Sequence, residues 1–322
     1  MGTAFATAST PEVCETAMLM IGFQGTEVDG PLARRVSEPM VRGVIWFSRN
    51  IVSPMQVARI NAELLAIRPD LIIAVDQEGG AVRRLKDGVS FVPPMREVTT
   101  VAEAFHYGQV LASMLRPLDF TMNLAPVLDV DSNPDNPIIG SRSFSPDPQR
   151  VSQLAIALMV GQRSGGLLSC GKHFPGHGDT TIDSHLALPR IDHGMERLRE
   201  IELVPFHGAV MAGIEAIMTA HILLPALDSE HPATLSPEVL RILREDLGFT
   251  GAILSDDLEM HAVSKRYSMD NLIELGLESG IDLFLVCSDG DKQDEAIAAL
   301  ARAPAGRLEE SMARLGQLRP GR

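Results

Sequence analysis

Residues 166–185 have the sequence GLLSCGKHFPGHGDTTIDSH, in which an apolar run is followed by a segment rich in titratable groups. Pro175 lacks a backbone N–H and restricts the residue before it, so Phe174, Pro175 and Gly176 are not expected inside a helix. Loops that follow strands are where scaffolds carry their chemistry. The pattern therefore predicts a buried strand at 166–170 that delivers a polar loop, 172–185, into a site.

The same kind of apolar run recurs along the chain. Eight runs of four to six residues have the near-continuous apolar character of parallel strands that are covered on both faces. These runs are 18–23, 43–47, 71–75, 120–124, 167–170, 216–220, 251–254 and 283–287. Amphipathic segments with helical spacing lie between them, at 54–67, 148–163 and 238–247. The alternation fits either a (β/α)₈ barrel or a doubly wound open sheet.

Polar residues at the carboxyl ends of these runs favour the barrel. They follow nearly every run: Arg49, Asn50, Asp76, Gln77, Glu78, Asp129, Lys172, His173, His221, Asp256, Asp257, Ser288 and Asp289. Barrel enzymes assemble their sites from many strand ends, whereas an open sheet uses only the few near its switch point. We predict an α/β, TIM-type barrel.

The composition predicts one domain over residues 1–322, because no proline-rich, serine-rich or charged linker divides the chain. The barrel core is expected over about 14–300. The C-terminal segment 302–322 is expected to hold a closing helix at 307–318 and a tail.

The net charge of −14 argues against nucleic-acid and anionic-membrane partners, because no basic stripe is present to neutralise phosphates. No apolar run reaches the ~18 residues of a membrane helix, and residues 1–14 lack a signal-peptide pattern. Cys14, Cys170 and Cys287 have no metal-type spacing, and an odd cysteine count fits a reducing compartment. We expect a cytoplasmic monomer.

Two aspartates end the run 251–254. Neighbouring strand residues point to opposite sides, so we expect only one of Asp256 and Asp257 to face the barrel mouth. A carboxylate at this position suits a nucleophile, a general base or a metal ligand. Alternatively, both aspartates cap the following helix.

Asp183 and His185 are two residues apart, which places them on one side of an extended segment. An aspartate orients a paired imidazole and raises its basicity, which gives a proton shuttle near neutral pH. Segment 76–80, with two acids before two glycines, is either a tight turn close to a ligand or simple turn chemistry.

The histidines do not form a recognisable metal motif. His173 and His177 are four residues apart, but Pro175 and Gly176 separate them, so the two rings are not expected on one helical face as in H-E-x-x-H. We expect no metal and no cofactor.

Taken together, these segments resemble the family 3 glycoside hydrolases, specifically the single-domain β-N-acetylhexosaminidases of cell-wall recycling. The matching segments come in family order and span most of the chain: 76–80 (DQEGG), 123–130 (NLAPVLDV), 140–144 (GSRSF), 172–189 (KHFPGHGDTTIDSHLALP) and 255–258 (SDDL). The long histidine segment is the specific one, whereas the short segments are not specific when taken singly.

The resemblance implies a role for each matching residue. Asp256 would be the nucleophile that forms a covalent glycosyl-enzyme, and His185, paired with Asp183, would be the acid/base. Five residues would bind the sugar: Asp76, Arg84, Arg142, Lys172 and His173. The family usually carries an arginine where Ala81 stands. Arg84 is kept as the sugar-binding arginine because its offset from Asp76 matches that of the family.

The implied activity is that of a retaining exo-β-N-acetylglucosaminidase acting on small carbohydrates, namely GlcNAc–1,6-anhydroMurNAc and muropeptides. A phosphorylase is an alternative, because a neutral histidine base repels incoming phosphate less than a carboxylate would. A β-glucosidase, a catalytically silent sugar-binding barrel and a metal-dependent hydrolase are the remaining alternatives.

Overall fold

Eight parallel strands pair in a closed ring in the computed structural model, which describes residues 17–181 and 188–318. The barrel strands are β1 Leu19–Ile21, β2 Val41–Trp46, β3 Ile72–Val75, β4 Met122–Asn123, β5 Leu168–Phe174, β6 Ala216–Thr219, β7 Ala252–Asp257 and β8 Leu283–Val286. Each strand pairs with the next one in the chain, and β8 pairs with β1. The predicted (β/α)₈ barrel is confirmed, and the open sheet is excluded.

Helices surround the barrel and connect its strands. In the described residues they are α1 Gly30–Val36, α2 Pro54–Ile67, α3 Val101–Leu115, α4 Pro148–Ser164, α5 Met195–Glu200, α6 Leu203–Met211, α7 Pro237–Arg241, α8 His261–Ser264, α9 Met269–Ser279, α10 Gly290–Leu300 and α11 Ala305–Leu315. Two long helices begin with the same local signal. Ser53 caps α2 and Asp147 caps α4, each followed by a proline whose missing N–H would have had no helical partner.

The predicted helices compare closely with the observed ones. Helix α2 has the predicted bounds, and α4 is one residue longer. The third predicted helix, 238–247, is divided between α7 and a π-helical turn, Ile242–Asp246. The predicted closing helix is α11, which begins and ends a few residues earlier than expected.

The strand β5 extends further than its apolar run predicted. Lys172 and His173 therefore belong to a strand and not to the loop in which the sequence placed them. Backbone pairing continues past the apolar residues, because Leu128 donates its N–H to the Lys172 carbonyl and Ala220 donates to the Phe174 carbonyl. Both polar side chains are buried, and both find charged partners there.

The core includes an aromatic cluster between the barrel and its helices. Trp46, which is fully buried, makes edge-to-face contacts with Phe23 and Phe120 at centroid distances of 5.0 and 6.1 Å. Its indole N–H donates to Asn61 on α2. Cys170 and Cys287 are buried free thiols, while Cys14 lies outside the described residues.

Two short antiparallel hairpins are added to the barrel, and the first one matters for the site. It pairs Gln77–Gly79 with Val82–Arg83, directly after β3. The second pairs Leu223–Leu224 with Asp228–Pro232, after β6. None of the helices described above is long and apolar enough to cross a membrane.

Candidate active site

A cavity of about 310 Å³ opens at the carboxyl ends of the barrel strands. Six of the eight predicted site residues line it: Asp76, Arg84, Arg142, Lys172, His173 and Asp256. The other two, Asp183 and His185, lie in residues 182–187, outside the described part of the chain. The site is therefore built from side chains that are up to 180 positions apart in sequence, as expected at this end of a barrel.

One wall of the cavity is a chain of ion pairs that begins at Asp76. Its carboxylate lies 2.6 Å from Lys172 Nζ and 2.9 Å from Arg84 Nη2. Burial alone would raise the pKa of Asp76, but the positive charges of Lys172 and Arg84 hold it well below its usual range. Asp76 is thus an anionic hydrogen-bond acceptor at any working pH.

Glu78 continues this chain, although the sequence analysis gave it no role. Its carboxylate accepts two hydrogen bonds from Arg142, at 2.8 and 2.9 Å, and lies 2.7 Å from Lys172 Nζ. Burial opposes ionisation, but Arg142 and Lys172 outweigh it and lower the pKa of Glu78 to about 2. The two-residue spacing from Asp76 was the available signal, because it places both acids on one side of an extended segment.

The fully buried Asp129 orients His173. Its carboxylate accepts a hydrogen bond from the His173 ring Nδ1 at 2.7 Å. It also accepts hydrogen bonds from the backbone N–H groups of His173 and His177, at 3.1 and 2.7 Å. Burial raises the pKa of Asp129, but nearby His173 outweighs this and keeps the pKa low. An ionised Asp129 can only accept a hydrogen bond, so it favours the neutral tautomer of His173 that carries its proton on Nδ1. Nε2 of that tautomer is a hydrogen-bond acceptor.

Asp256 and Asp257 both line the cavity, so the expectation that only one would face it is wrong. The pairing register of β7 with β8 shifts between Leu254 and Asp257. Such irregularities redirect side chains that strict alternation would place on opposite sides. Asp256 Oδ1 accepts the N–H of Asp257 at 2.8 Å.

Asp257 also accepts backbone N–H groups, from Glu259 at 3.1 Å and from Cys287 at 3.3 Å. Burial raises the pKa of Asp257 to about 7, and the negative charges of Glu259 and Asp256 add to this effect. Near neutral pH Asp257 is therefore partly protonated, which makes it a weak candidate for the nucleophile.

Comparison with known proteins gives the family of the chain. Residues 16–318 match the family model described as the glycosyl hydrolase family 3 N terminal domain. The chain belongs to glycoside hydrolase family 3. The resemblance inferred from the sequence is confirmed, and the chain is a glycoside hydrolase.

Relatives in family 3 cover almost all of the chain. It is 40% identical over 293 residues to a beta-hexosaminidase of Thiobacillus denitrificans, covering 88% of this chain and 81% of the relative. It is also 40% identical over 300 residues to a beta-hexosaminidase of Pseudomonas aeruginosa, covering 90% and 89%. The chain therefore falls among the β-hexosaminidases of family 3.

Solved family 3 structures share the fold. A beta-N-acetylglucosaminidase of a Paenibacillus species has a TM-score of 0.91 at 39% identity over 97% of this chain, which spans 62% of that protein. Native NagZ of Neisseria gonorrhoeae has a TM-score of 0.82 at 35% identity, covering 91% of this chain and 89% of NagZ. Another structure is of that NagZ in complex with N-trifluoroacetyl-D-glucosamine, at 33% identity, a TM-score of 0.82 and coverage of 94% and 93%.

Aromatic and apolar side chains form the rest of the cavity wall described above. Phe47, at the end of β2, lines it between two arginines, with Arg84 Cζ 5.4 Å and Arg49 Cζ 4.4 Å from the ring centroid. Phe47 could not be predicted from the sequence, because an aromatic residue at the end of an apolar run resembles ordinary core. Met260 and Leu285 are also part of the wall.

The carboxylates of the cavity are engaged by cations or by backbone N–H groups of the protein itself. Across residues 17–181 and 188–318, no three histidine, cysteine, aspartate or glutamate side chains form a group that could hold a metal ion.

Proposed function

We propose that the protein is a retaining exo-β-N-acetylglucosaminidase that removes a terminal non-reducing GlcNAc from peptidoglycan fragments. The observation that carries the proposal is the cavity itself, in which Asp256 on β7 lies across the eight-stranded ring from Asp76, beyond the end of β3. A sugar held by the Asp76 wall would present its anomeric carbon to Asp256. The relatives named beta-hexosaminidase support this choice of sugar class.

The chemistry would follow the two-step retaining scheme. Asp256 attacks the anomeric carbon while an acid protonates the leaving oxygen, which gives a covalent glycosyl-enzyme. Water, activated by the same group acting as a base, then releases the sugar with its configuration retained. We assign the acid/base role to His185 with Asp183, on sequence grounds, because an imidazole with a pKa near ~6.5 suits both steps.

Sugar binding would use both the carboxylates and the cationic groups of the cavity wall that begins at Asp76. Asp76 accepts hydrogen bonds from hydroxyl groups, while Arg84, Arg142 and Lys172 donate to hydroxyl and acetamido oxygens. His173 would accept one further hydroxyl at Nε2. The structure of NagZ in complex with N-trifluoroacetyl-D-glucosamine supports a GlcNAc-type sugar as the ligand.

The proposal is tested by nitrophenol release from 4-nitrophenyl N-acetyl-β-glucosaminide, with a chelator present, in wild type and Asp256→Asn. We expect activity in the wild type and a loss on the order of 10³-fold or more in the variant, since the nucleophile is removed with little change of shape. NMR of the first-formed sugar would give the β anomer. A folded wild type that hydrolyses no β-GlcNAc glycoside would refute the proposal.

Two further experiments distinguish water from phosphate as the acceptor and GlcNAc from glucose as the sugar. The proposed hydrolase yields free GlcNAc in phosphate buffer, whereas a phosphorylase would yield the sugar 1-phosphate. Comparison of the 4-nitrophenyl β-glucoside with the GlcNAc substrate distinguishes a β-glucosidase, which would prefer the former.

We also infer that the protein works as a single-domain monomer in the cytoplasm. The free thiols of Cys170 and Cys287 fit a reducing compartment. Sedimentation and cell fractionation test the assembly state and the location.

A further inference from the structure

Glu78 is a charged side chain of the cavity for which the proposed mechanism has no use. It is 3% exposed and lies on the first strand of the hairpin that follows β3. Both of its oxygens are occupied, since Arg142 Nε donates to Oε2 and Arg142 Nη2 donates to Oε1. Because Glu78 is almost fully buried and both of its oxygens already accept hydrogen bonds, we expect its effect on the sugar to pass through its partners.

Lys172 is the second partner, and it pairs with two carboxylates. Its side chain is 3% exposed, and its Nζ lies 2.7 Å from Glu78 and 2.6 Å from Asp76. Burial lowers the pKa of a lysine, but these two carboxylates raise the pKa of Lys172 above its ordinary value. An ammonium group this deeply buried keeps its charge only while such partners remain.

Arg142 depends on Glu78 even more strongly. Apart from its paired hydrogen bonds to Glu78, its other hydrogen bond among the described residues is a 3.4 Å contact with the Ile138 carbonyl. A two-point pair between an arginine and a carboxylate fixes the plane of the guanidinium group as well as its place. Without Glu78 the side chain would keep only one weak anchor.

We propose that Glu78 is a positioning residue that fixes Arg142 and Lys172 on the cavity wall so that both present N–H groups to the sugar. The inference rests on the proposed function, because the sugar-binding roles of the two cations are part of that proposal. One carboxylate would thereby align two donors that come from separate segments of the chain.

The test compares Glu78→Gln, which keeps the shape but not the charge, with the wild type on 4-nitrophenyl N-acetyl-β-glucosaminide. We expect kcat/KM to fall roughly 100-fold, the size of effect that follows when binding groups are displaced by about 1 Å. Glu78→Asp keeps the charge but is too short to reach both cations, so its kcat/KM should lie between the two. It also serves as the second variant if Glu78→Gln folds poorly.

Glu215→Gln is the matched control. Glu215 also pairs with an arginine, Arg163 at 2.7 Å, and also accepts a backbone N–H, but it lies just before β6, at the opposite end of the barrel. Its kcat/KM should stay within about twofold of the wild type, because surface-side pairs contribute little. A comparable loss in both variants would overturn the positioning role.

The pH profile separates positioning from general destabilisation. Loss of the Glu78 charge lowers the pKa of Lys172, so the alkaline limb of kcat/KM should move to lower pH in Glu78→Gln and stay in place in Glu215→Gln. A purely structural role would lower the melting temperature and scale kcat/KM equally at every pH. That outcome, or activity within threefold of the wild type, would overturn the proposal.

A crystal structure of Glu78→Gln tests the inference independently of activity. We expect the Arg142 guanidinium to leave its wild-type position, and unmoved Arg142 and Lys172 side chains would contradict the proposal. An inactive wild type would instead count against the proposed function, so the two failures are distinguishable.

Discussion

At the scale of single residues, burial changes the protonation of Asp257 at the end of β7. Asp257 has a pKa raised from 3.8 to about 7, chiefly by burial. Below pH 3.8 this carboxyl group is protonated in both the folded and the unfolded chain. As the pH rises from 3.8 to 7, the unfolded chain loses this proton first, so the group progressively lowers the stability of the fold. Above pH 7 both states have lost the proton, and the destabilisation has reached its full size.

Asp257→Asn should therefore stabilise the protein at pH 8 and do so less as the pH is lowered towards 4. The amide oxygen of asparagine accepts the same two backbone N–H groups, and the side chain has no charge to bury. We expect a gain in the free energy of unfolding on the order of 1–3 kcal/mol at pH 8. Urea unfolding at a series of pH values measures it.

The exposed Asp192 provides a control, because Asp192→Asn should change the free energy of unfolding by less than about 0.5 kcal/mol. A gain for Asp257→Asn that does not vary with pH would contradict the assignment of a buried, protonated carboxyl group.

Asp129 is expected to act through the ring of His173. In Asp129→Asn an amide N–H₂ can face Nδ1, which favours the opposite tautomer and removes Nε2 as an acceptor. We expect kcat/KM to fall at least about tenfold, consistent with the cost of misorienting an active-site imidazole. Kinetics should be accompanied by a thermal melt. A stable variant with wild-type kcat/KM would show that the orientation of His173 is unimportant.

At the scale of secondary-structure elements, the sequence predicted the eight barrel strands and the bounds of α2 and α4 well, but it missed the end of β5 and the register of β7. Continuous apolar runs mark strands buried on both faces, so all eight barrel strands were found. The end of β5 was missed because pairing there continues through Lys172 and His173, whose burial depends on distant charges. The register shift between β7 and β8 was missed for a similar reason, since register depends on the neighbouring strand and not on local composition.

The contact between α3 and α4 depends on two glycines. A Cβ at Gly161 would lie 2.2 Å from the Phe105 carbonyl oxygen, and one at Gly108 would lie 2.1 Å from that of Leu158. Alanine in a helix is normally better than glycine by about 1 kcal/mol. Here the clash should reverse the sign, so that Gly161→Ala destabilises by about 1–3 kcal/mol in urea unfolding.

Gly306 in α11 is the matched control, because a Cβ there meets nothing within 4 Å. Gly306→Ala should be neutral or stabilising by up to about 1 kcal/mol. If Gly161→Ala also stabilised the protein, the close packing of α3 against α4 would be wrong.

At the scale of the whole molecule, the sequence predicted those residues of the candidate site that lie in recognisable motifs. Six of the predicted residues line one cavity because strand ends converge at one face of a barrel. Glu78 and Asp129 act by holding other side chains, and the partners they hold, Arg142 and His173, are 64 and 44 positions away. Single-sequence patterns contain no signal for such pairs.

The net charge of −14 also acts at the scale of the whole molecule. A substrate with an anionic peptide stem is repelled during its approach, and salt screens that repulsion, whereas a neutral nitrophenyl substrate is unaffected. Between low and physiological ionic strength, kcat/KM for an anionic muropeptide should rise roughly twofold or more. Steady-state kinetics with both substrates test this, and an equal salt response would contradict it.

The ring closes only when β8 pairs with β1, and this delays the completion of folding during translation. Leu19 pairs with Phe284, so the ring stays open until the chain has been translated past Val286. Until then a chain on the ribosome has unpaired strand edges and an incomplete cavity, and such edges are prone to aggregation. We therefore expect a nascent chain to gain hydrolytic activity only after its last barrel strand has emerged.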